Sequence, residues 1–311
     1  MRIALVGHGL LPIPPTGWGA VESILWEYFQ RLKAMGIDVE IINEKKRKAF
    51  RTLLTGPKFD WVHNHNERGM SRMRIACAVR GMRLIGTSHH AYLWDDLDPN
   101  SLDLLRKSAY APYHCALTPA YAEAIRQRRS SAKVAVVPNG CEVGQFECAP
   151  SGSLGAVCVG RIESRKRQDL IAQGAQQAGV PCDFIGPVKD AILPEGASHI
   201  GEWTRDQLRR QLTQYRALVL MSRSEGQPLV VVEALAAGLS VVVSPAAAVN
   251  LDASLPFVHV VSRDEDLPQA LTRAVEENGL HRQAIRQYAE AQFDWDRIVP
   301  LYVDQLKQWT T

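Results

Sequence analysis

The chain has 311 residues, 46% of them hydrophobic and 22% charged, with a formal net charge of +3. That length fits two domains of about 100 to 200 residues each, and the composition excludes a disordered, fibrous or low-complexity protein. The apolar runs fall well short of the roughly 20 residues that cross a bilayer, and the opening MRIALVGHG has no signal-peptide core before its glycines, so a cytoplasmic protein is expected.

RIALVG at 2–7 reads as the first strand, followed by a loop rich in Gly and Pro. Val21, Ile24, Leu25, Tyr28, Phe29, Leu32 and Met35 then form one apolar stripe at helical period, with Gly36 where a C-terminal cap belongs. IDVEIIN at 37–43 is the second strand, and the three elements make a right-handed parallel crossover. Segment 44–60 looks like a trimmed connection. The alternation continues with strands at 59–65, 83–90, 114–119 and 133–140 and helices near 68–80, 101–110 and 119–128. ECAPSGSLG at 147–155 has linker composition, and a second series follows: strands at 156–161, 182–186, 217–222 and 240–244, helices at 166–178, 204–214 and 228–237. The expected architecture is α/β, two Rossmann-like doubly wound domains facing an interdomain cleft, with ligands at the carboxyl ends of the strands.

Charge divides between the halves: residues 1–150 carry 20 Lys and Arg against 14 Asp and Glu, and residues 151–311 carry 16 against 19. The basic excess gathers at Lys45, Lys46, Arg47, Lys48 and Arg51, at Arg68, Arg72, Arg74, Arg80 and Arg83, and at Arg126, Arg128 and Arg129. Without interleaved aromatic side chains these clusters do not suit nucleic acid; they read either as a solvated face or as a surface for anionic lipid or a phosphorylated acceptor. The six cysteines contain no C-x-x-C pair and are expected to be free, buried thiols.

The most specific stretch is SRSEGQPLVVVEALAAGLSVVVS at 222–244. Glu225 and Gly226 lie in the loop after a strand, Pro228 stands near the first helical turn, and Glu233 sits about two turns further on. Free N–H groups at that helix start suit a phosphate or a sugar hydroxyl, and Glu233 can meet vicinal hydroxyls such as those of a ribose. The bland alternative is two acids stabilising a helix dipole. Upstream, Arg161 ends a strand and Lys166 stands near a helix start, a guanidinium and an ammonium suited to a diphosphate; Arg165 and Arg167 read as solvated neighbours, although a small register shift exchanges Arg165 for Lys166. His63 and His65 share a strand face but lack a third metal ligand, and Asp96 and Asp98 mimic a metal-binding D-x-D in a loop. Gly7-His8-Gly9 is a poor dinucleotide fingerprint because Pro12, Pro14 and Pro15 block an early helix.

Together GWGAVE (17–22), TSHHA (87–91), VVPNGCEVGQF (136–146), VGRIESRK (159–166), FIGP (184–187) and the Glu225 to Glu233 stretch resemble the retaining nucleotide-sugar glycosyltransferases of family 4, with the GT-B fold. The resemblance covers nearly the whole chain. It implies an N-terminal acceptor-binding domain at 1–148, a C-terminal nucleotide-sugar-binding domain at 149–292 and a closing helix at 293–311 that crosses back to the first domain. It implies that Arg161 and Lys166 bind the donor diphosphate, that Glu225 contacts donor-sugar hydroxyls, that Gly226, Gln227, Pro228 and Leu229 supply backbone near sugar and phosphate, and that Glu233 binds the ribose. Gly17 and Gly19 match the loop closing over the phosphates, with Trp18 interrupting the usual glycine pair. His89 matches a histidine near the reacting sugar, with His90 as the alternative. Arg161, Lys166, Glu225 and His89 are the expected catalytic set, without a metal or other cofactor. The donor would be UDP- or GDP-linked and the acceptor a saccharide or glycolipid, in polysaccharide biosynthesis, with peripheral contact to an anionic inner membrane face. A sugar-nucleotide epimerase or phosphorylase of the same fold, and a non-catalytic nucleotide-sugar-binding protein, are the rival readings.

Overall fold

The structure, a computed structural model, describes residues 1–311 apart from 16–18, 91–98, 192 and 311. It divides into two compact units, one comprising Met1–Asn139 with Trp295–Thr311, the other Gly140–Asp294.

In the first unit β1 (Arg2–Val6), α1 (Ala20–Ala34), β2 (Asp38–Ile42), α2 (Lys46–Thr55), β3 (Trp61–Asn64), α3 (Met70–Arg80), β4 (Arg83–Gly86), α4 (Pro99–Ser108), β5 (Tyr113–Ala116), α5 (Pro119–Arg128) and β6 (Lys133–Val136) follow one another. The strands pair in parallel in the order β2-β1-β3-β4-β5-β6. Near-continuous apolar runs such as Ile3 to Val6 are buried, as a parallel sheet covered on both faces requires. The segment expected to be a trimmed connection contains helix α2, because Ala49 and Leu53 bury themselves against the sheet; the Lys and Arg run in front of them had masked that short amphipathic pattern.

The second unit repeats the plan with β7 (Leu154–Val159), α6 (Gln168–Ala178), β8 (Cys182–Ile185), β9 (Ser198–His199), α7 (Arg205–Gln211), β10 (Tyr215–Leu220), α8 (Leu229–Ala236), β11 (Ser240–Val243), β12 (Val258–Val260) and α9 (Leu267–Phe293). Its sheet order is β12-β11-β10-β7-β8-β9, again parallel. The short edge strands β9 and β12 were not legible in the sequence, since two or three residues carry no periodicity.

The division at Asn139 and Gly140 falls earlier than the linker-like segment, and the reason is bonding. Cys141, Val143 and Phe146 belong to the second unit's core, and the Cys141 N–H donates to the Phe293 carbonyl at 2.7 Å. Ala149 receives two anchors: its N–H donates to Thr213 Oγ1 at 2.8 Å, and its carbonyl accepts from Arg282 Nε at 2.8 Å. Arg282, buried on α9, also donates to the carbonyls of Thr213, Tyr215 and Ala237, so one guanidinium ties that segment, the entry to β10 and the end of α8 to the long helix.

The last helix, α10 (Trp295–Thr310), belongs to the first unit. Trp295 and Tyr302 meet Tyr28 of α1 edge-on at 5.3 and 5.0 Å between ring centroids, and Trp309 lies 5.2 Å from Tyr113 and 6.1 Å from Trp61. Truncating such a buried aromatic leaves a cavity that the rigid sheet cannot fill. Trp309→Ala should therefore cost the first unit about 3 kcal/mol or more in chemical denaturation; a loss below about 1 kcal/mol would show that α10 is dispensable for that core.

Candidate functional site

In the second unit the strand order reverses between β7 and β10, the switch point at which doubly wound sheets bind ligands beyond their carboxyl ends. Two glycines shape it. A Cβ on Gly186 (φ 140°) would lie 2.2 Å from the Gly160 carbonyl oxygen, and a Cβ on Gly160 (φ 142°) would lie 3.3 Å from Lys166 Nζ. Only glycine in both places lets the ends of β7 and β8 approach while the Lys166 side chain folds back over β7.

A single 3-10 turn, Ser164–Lys166, sets the cations. Lys166 is 9% exposed, and its Nζ is 3.1 Å from Glu225 Oε1 in the loop after β10. Arg165 reaches the same carboxylate oxygen at 3.2 Å, holds Glu163 Oε1 at 2.7 Å and donates to the Ser224 carbonyl. Arg165 is therefore a structural member of the site and not a solvated neighbour; Arg167, in left-handed conformation, instead pairs with Asp264. Glu163 also accepts from Lys189 Nζ at 3.1 Å, and Arg161 NH2 comes within 3.8 Å of it with its own side chain 55% exposed. The chain Arg161–Glu163–Arg165–Glu225–Lys166, with Lys189 attached and Asp190 3.5 Å from Lys189, sets four cations against three carboxylates. Burial opposes ionisation of Glu225, but Lys166 and Arg165 outweigh it and hold the carboxyl below its ordinary range; burial is likewise outweighed at Glu163 by the hydrogen bonds from Arg165 and Lys189. Both acids are thus acceptors only, and the surplus of positive charge suits an anionic group.

Beyond Glu225, Gln227 is buried, Pro228 is the N-cap residue of α8 and Leu229 its first helical residue. The proline without an N–H thus precedes the free amides of the helix start instead of replacing one of them. Glu233 is buried on α8 and is met by Arg205, the first residue of α7, whose guanidinium lies 5.7 Å over the Phe146 ring. The Glu233 charge raises the Arg205 pKa. This pair has no local signature: Thr204 and Gln207 mark the start of α7 by their capping box, but nothing nearby in the chain joins Arg205 to an acid 28 positions away.

In the first unit the switch point lies between β1 and β3. His63 Nε2 is 2.8 Å from Thr87 Oγ1, and His65 Nδ1 is 2.9 Å from His89 Nε2. The three imidazoles form a stack, with ring centroids 4.1 Å apart for His63 and His65 and 5.2 Å for His65 and His89. Of the two adjacent histidines, His89 is the half-buried member of this stack, whereas His90 is exposed and approaches Glu67 at 4.0 Å. Buried Glu67 accepts from Ser88 Oγ at 2.5 Å and from the His89 N–H at 3.3 Å. Among the described residues no group of three or more His, Cys, Asp or Glu side chains is arranged to hold a metal ion. Gly19 is the N-cap residue of α1; Gly17, Trp18, Asp96 and Asp98 lie outside the described residues.

Two family models match the chain: Glycosyltransferase Family 4 over residues 40–145 and Glycosyl transferases group 1 over residues 154–277. No curated protein sequence matches it. Among solved structures it is similar to HepE of Anabaena in complex with UDP and glucose, at 15% identity and a TM-score of 0.75, over 99% of this chain and 100% of that one. It is similar to sucrose-phosphate synthase from Thermosynechococcus elongatus at 15% identity and a TM-score of 0.78, over 100% and 99% of the two chains. Trehalose-6-phosphate synthase, studied for glycosyl transfer with retention, gives 12% identity and a TM-score of 0.73 over 99% of each chain. At these identities the likeness is one of fold. With the two models it places this chain among the family 4-type glycosyltransferases of the GT-B fold.

Three buried histidines and the half-buried His89 give the first unit a pH signature. Burial lowers His63 to about 3, His89 and His114 to about 4, and His65 well below its ordinary value. In the unfolded chain they bind protons below about 6.5, so unfolding takes up protons there and stability falls as pH drops through that range. The denaturation midpoint should therefore be lower at pH of about 5 than at about 7.5; an unchanged midpoint would mean that these rings do not stay neutral in the folded state.

Proposed function

We propose that this chain is a retaining, metal-independent glycosyltransferase that moves a sugar from a UDP- or GDP-linked donor to a saccharide or glycolipid acceptor. The observation that carries the reading is the Lys166–Glu225 pair at the β7 and β10 switch point, inside a network with more cations than carboxylates. Breaking the bond between the sugar's anomeric carbon and the diphosphate builds positive character on the sugar and negative charge on the leaving group. Fixed cations aimed at that leaving group stabilise the transition state more than the ground state.

In this scheme exposed Arg161 and buried Lys166 take the diphosphate. Lys166 exchanges part of its bond to Glu225 for a phosphate oxygen, which frees the ionised Glu225 to accept from sugar hydroxyls. The Gly226 to Leu229 backbone approaches sugar and phosphate, and Glu233, held by Arg205, takes the ribose. The acceptor oxygen attacks from the face the diphosphate leaves, and its proton passes to a donor phosphate oxygen, so the products are the glycoside and the nucleoside diphosphate, and no carboxylate nucleophile is needed. His89, Gly17 and Gly19 serve the sugar and the phosphates. HepE with UDP and glucose and trehalose-6-phosphate synthase acting with retention share this fold, which supports the donor class and the stereochemistry. A donor at 100 times its Kd should stabilise the protein by about 2.7 kcal/mol, readable as a thermal shift across UDP-, GDP- and ADP-sugars. Lys166→Ala and Glu225→Ala should each lower kcat/KM by about a hundredfold or more with the fold retained, and wild-type product should keep the donor's anomeric configuration in the presence of a chelator. Full activity in Lys166→Ala, or an inverted product, would sink the scheme.

The acceptor is assigned to the first unit, where a hollow of about 500 Å³ at the ends of β1 and β2 is lined by Gly9, Asn43, Glu44, Lys45, Lys46, Arg47 and Lys48. Peripheral membrane contact is drawn from α3, which carries no carboxylate. It exposes Ile75 and Val79 at 56% and 69% beside Arg72 and Arg74, and Arg74 lies near enough to Arg129 for its charge, after burial, to lower that guanidinium's pKa. No helix among the described residues is long and apolar enough to cross a membrane. Ile75→Asp with Val79→Asp should abolish cosedimentation with vesicles containing phosphatidylglycerol and leave the protein folded; unchanged cosedimentation would remove α3 from the contact.

A further inference from the structure

His89 is the first unit's contribution to the proposed reaction, and its ring is not held by its own backbone segment alone. The bonds around it settle where protons sit. Thr87 Oγ1 lies 2.8 Å from the Cys115 carbonyl and 2.8 Å from His63 Nε2. A hydroxyl has one proton, and the carbonyl can only accept, so that proton goes to Cys115 and His63 Nε2 must carry the hydrogen it donates to Thr87. The next link is the 2.9 Å contact between His65 Nδ1 and His89 Nε2, across which only one of the two nitrogens can be the donor. His65 is 1% exposed and its Nε2 has no hydrogen-bond partner; its ring centroid lies 4.1 Å from that of His63 and 6.2 Å from that of Tyr28. Burial keeps both His65 and His89 neutral, each with a single ring proton. Were His89 the donor, His65 would carry its proton on Nε2 as a buried N–H without an acceptor, the rarer and costlier defect; with the proton on Nδ1, Nε2 is left as a lone pair.

We infer that His65 is a positioning residue that donates from Nδ1 to His89 Nε2, and so fixes His89 as the tautomer protonated on Nδ1. His89 then offers an N–H donor at its other nitrogen and cannot act as a base there, which deepens the proposed reading of His89 as a residue that orients or polarises a sugar hydroxyl and rests on that reading for its effect on rate. The chain order supplies the geometry: His63 in β3 and His65 just beyond it stand two residues apart, and Thr87 and His89 repeat that spacing after β4, its parallel neighbour, so each of these two histidines meets one side chain from the segment after β4.

The test is long-range proton–nitrogen correlation on the whole chain with 15N-labelled histidine near neutral pH, with single-histidine variants giving the assignments. His89 and His65 should appear protonated on Nδ1 and His63 on Nε2. In His65→Phe the His89 signals should move to a mixture of tautomers and kcat should fall about tenfold, with donor KM changing less. His65→Asn, whose side-chain amide can donate from a similar place, should restore both. Wild-type His89 protonated on Nε2, a His89 tautomer unmoved in both His65 variants, or an unchanged kcat alongside a shifted tautomer would each overturn the inference. Because the tautomer is read without any sugar present, its result stands apart from whether the chain transfers sugar at all.

Discussion

A carboxylate cannot be buried among apolar strand ends unless cations hold its charge, and the second unit is organised around that constraint. Glu225 stays ionised because Lys166 and Arg165 meet it, and Lys166 reaches it because Gly160 leaves room for the side chain to fold back. The left-handed Arg167 ends the turn carrying both cations and starts α6, which carries the chain away from the site. The loop after β10 is tied to that turn by the Arg223 N–H donating to the Arg165 carbonyl at 2.9 Å, so two segments nearly sixty residues apart form one rigid cationic rim. Removing a partner from such a network leaves a desolvated charge behind, which is why its parts stand or fall together.

Rigidity around that rim comes from a different polar device. Arg282 distributes its donors over carbonyls from three segments, and Asn278, one turn earlier on α9, donates to the Gly238 carbonyl where α8 ends. A buried guanidinium is tolerable only when its N–H groups are occupied, and here the acceptors are backbone ends that would themselves lack partners. One of these bonds also anchors Ala149 to the unit. The first unit reaches its rigidity through rings: Tyr28, Tyr302, Trp295 and the histidine stack pack α1 and α10 against β3, leaving His63 Nδ1, His65 Nε2 and the Tyr302 hydroxyl buried without partners. Orphaned polar atoms cost stability, and their concentration beside His89 marks the place where the fold retains polar groups that a purely structural core would replace with apolar ones.

Much of this was legible in the amino-acid order. The alternation of apolar strands with amphipathic helices gave two doubly wound sheets, and the glycines at 160 and 226, with acids at 225 and 233, marked the loops that meet at the second switch point. Readings failed where the signal was not local. Arg165 resembled a solvated residue because its partners, Glu163 and Glu225, come from a strand exit and a distant loop. Arg205 carried no signal, being one arginine among several on a short polar helix. The helix α2 was hidden by its own lysines, and ECAPSGSLG resembled a free linker because composition cannot reveal that Arg282 and Thr213 would bind its backbone.

The sequence by itself determined the periodicities, the capping positions and the residue types that can carry charge, because these depend on neighbours within a few residues along the chain. The tertiary structure alone decided which charges meet, which histidine of the adjacent pair joins the stack and which nitrogen carries each proton. Those outcomes depend on distances of about 3 Å between residues tens of positions apart, and on burial that removes water as the alternative partner.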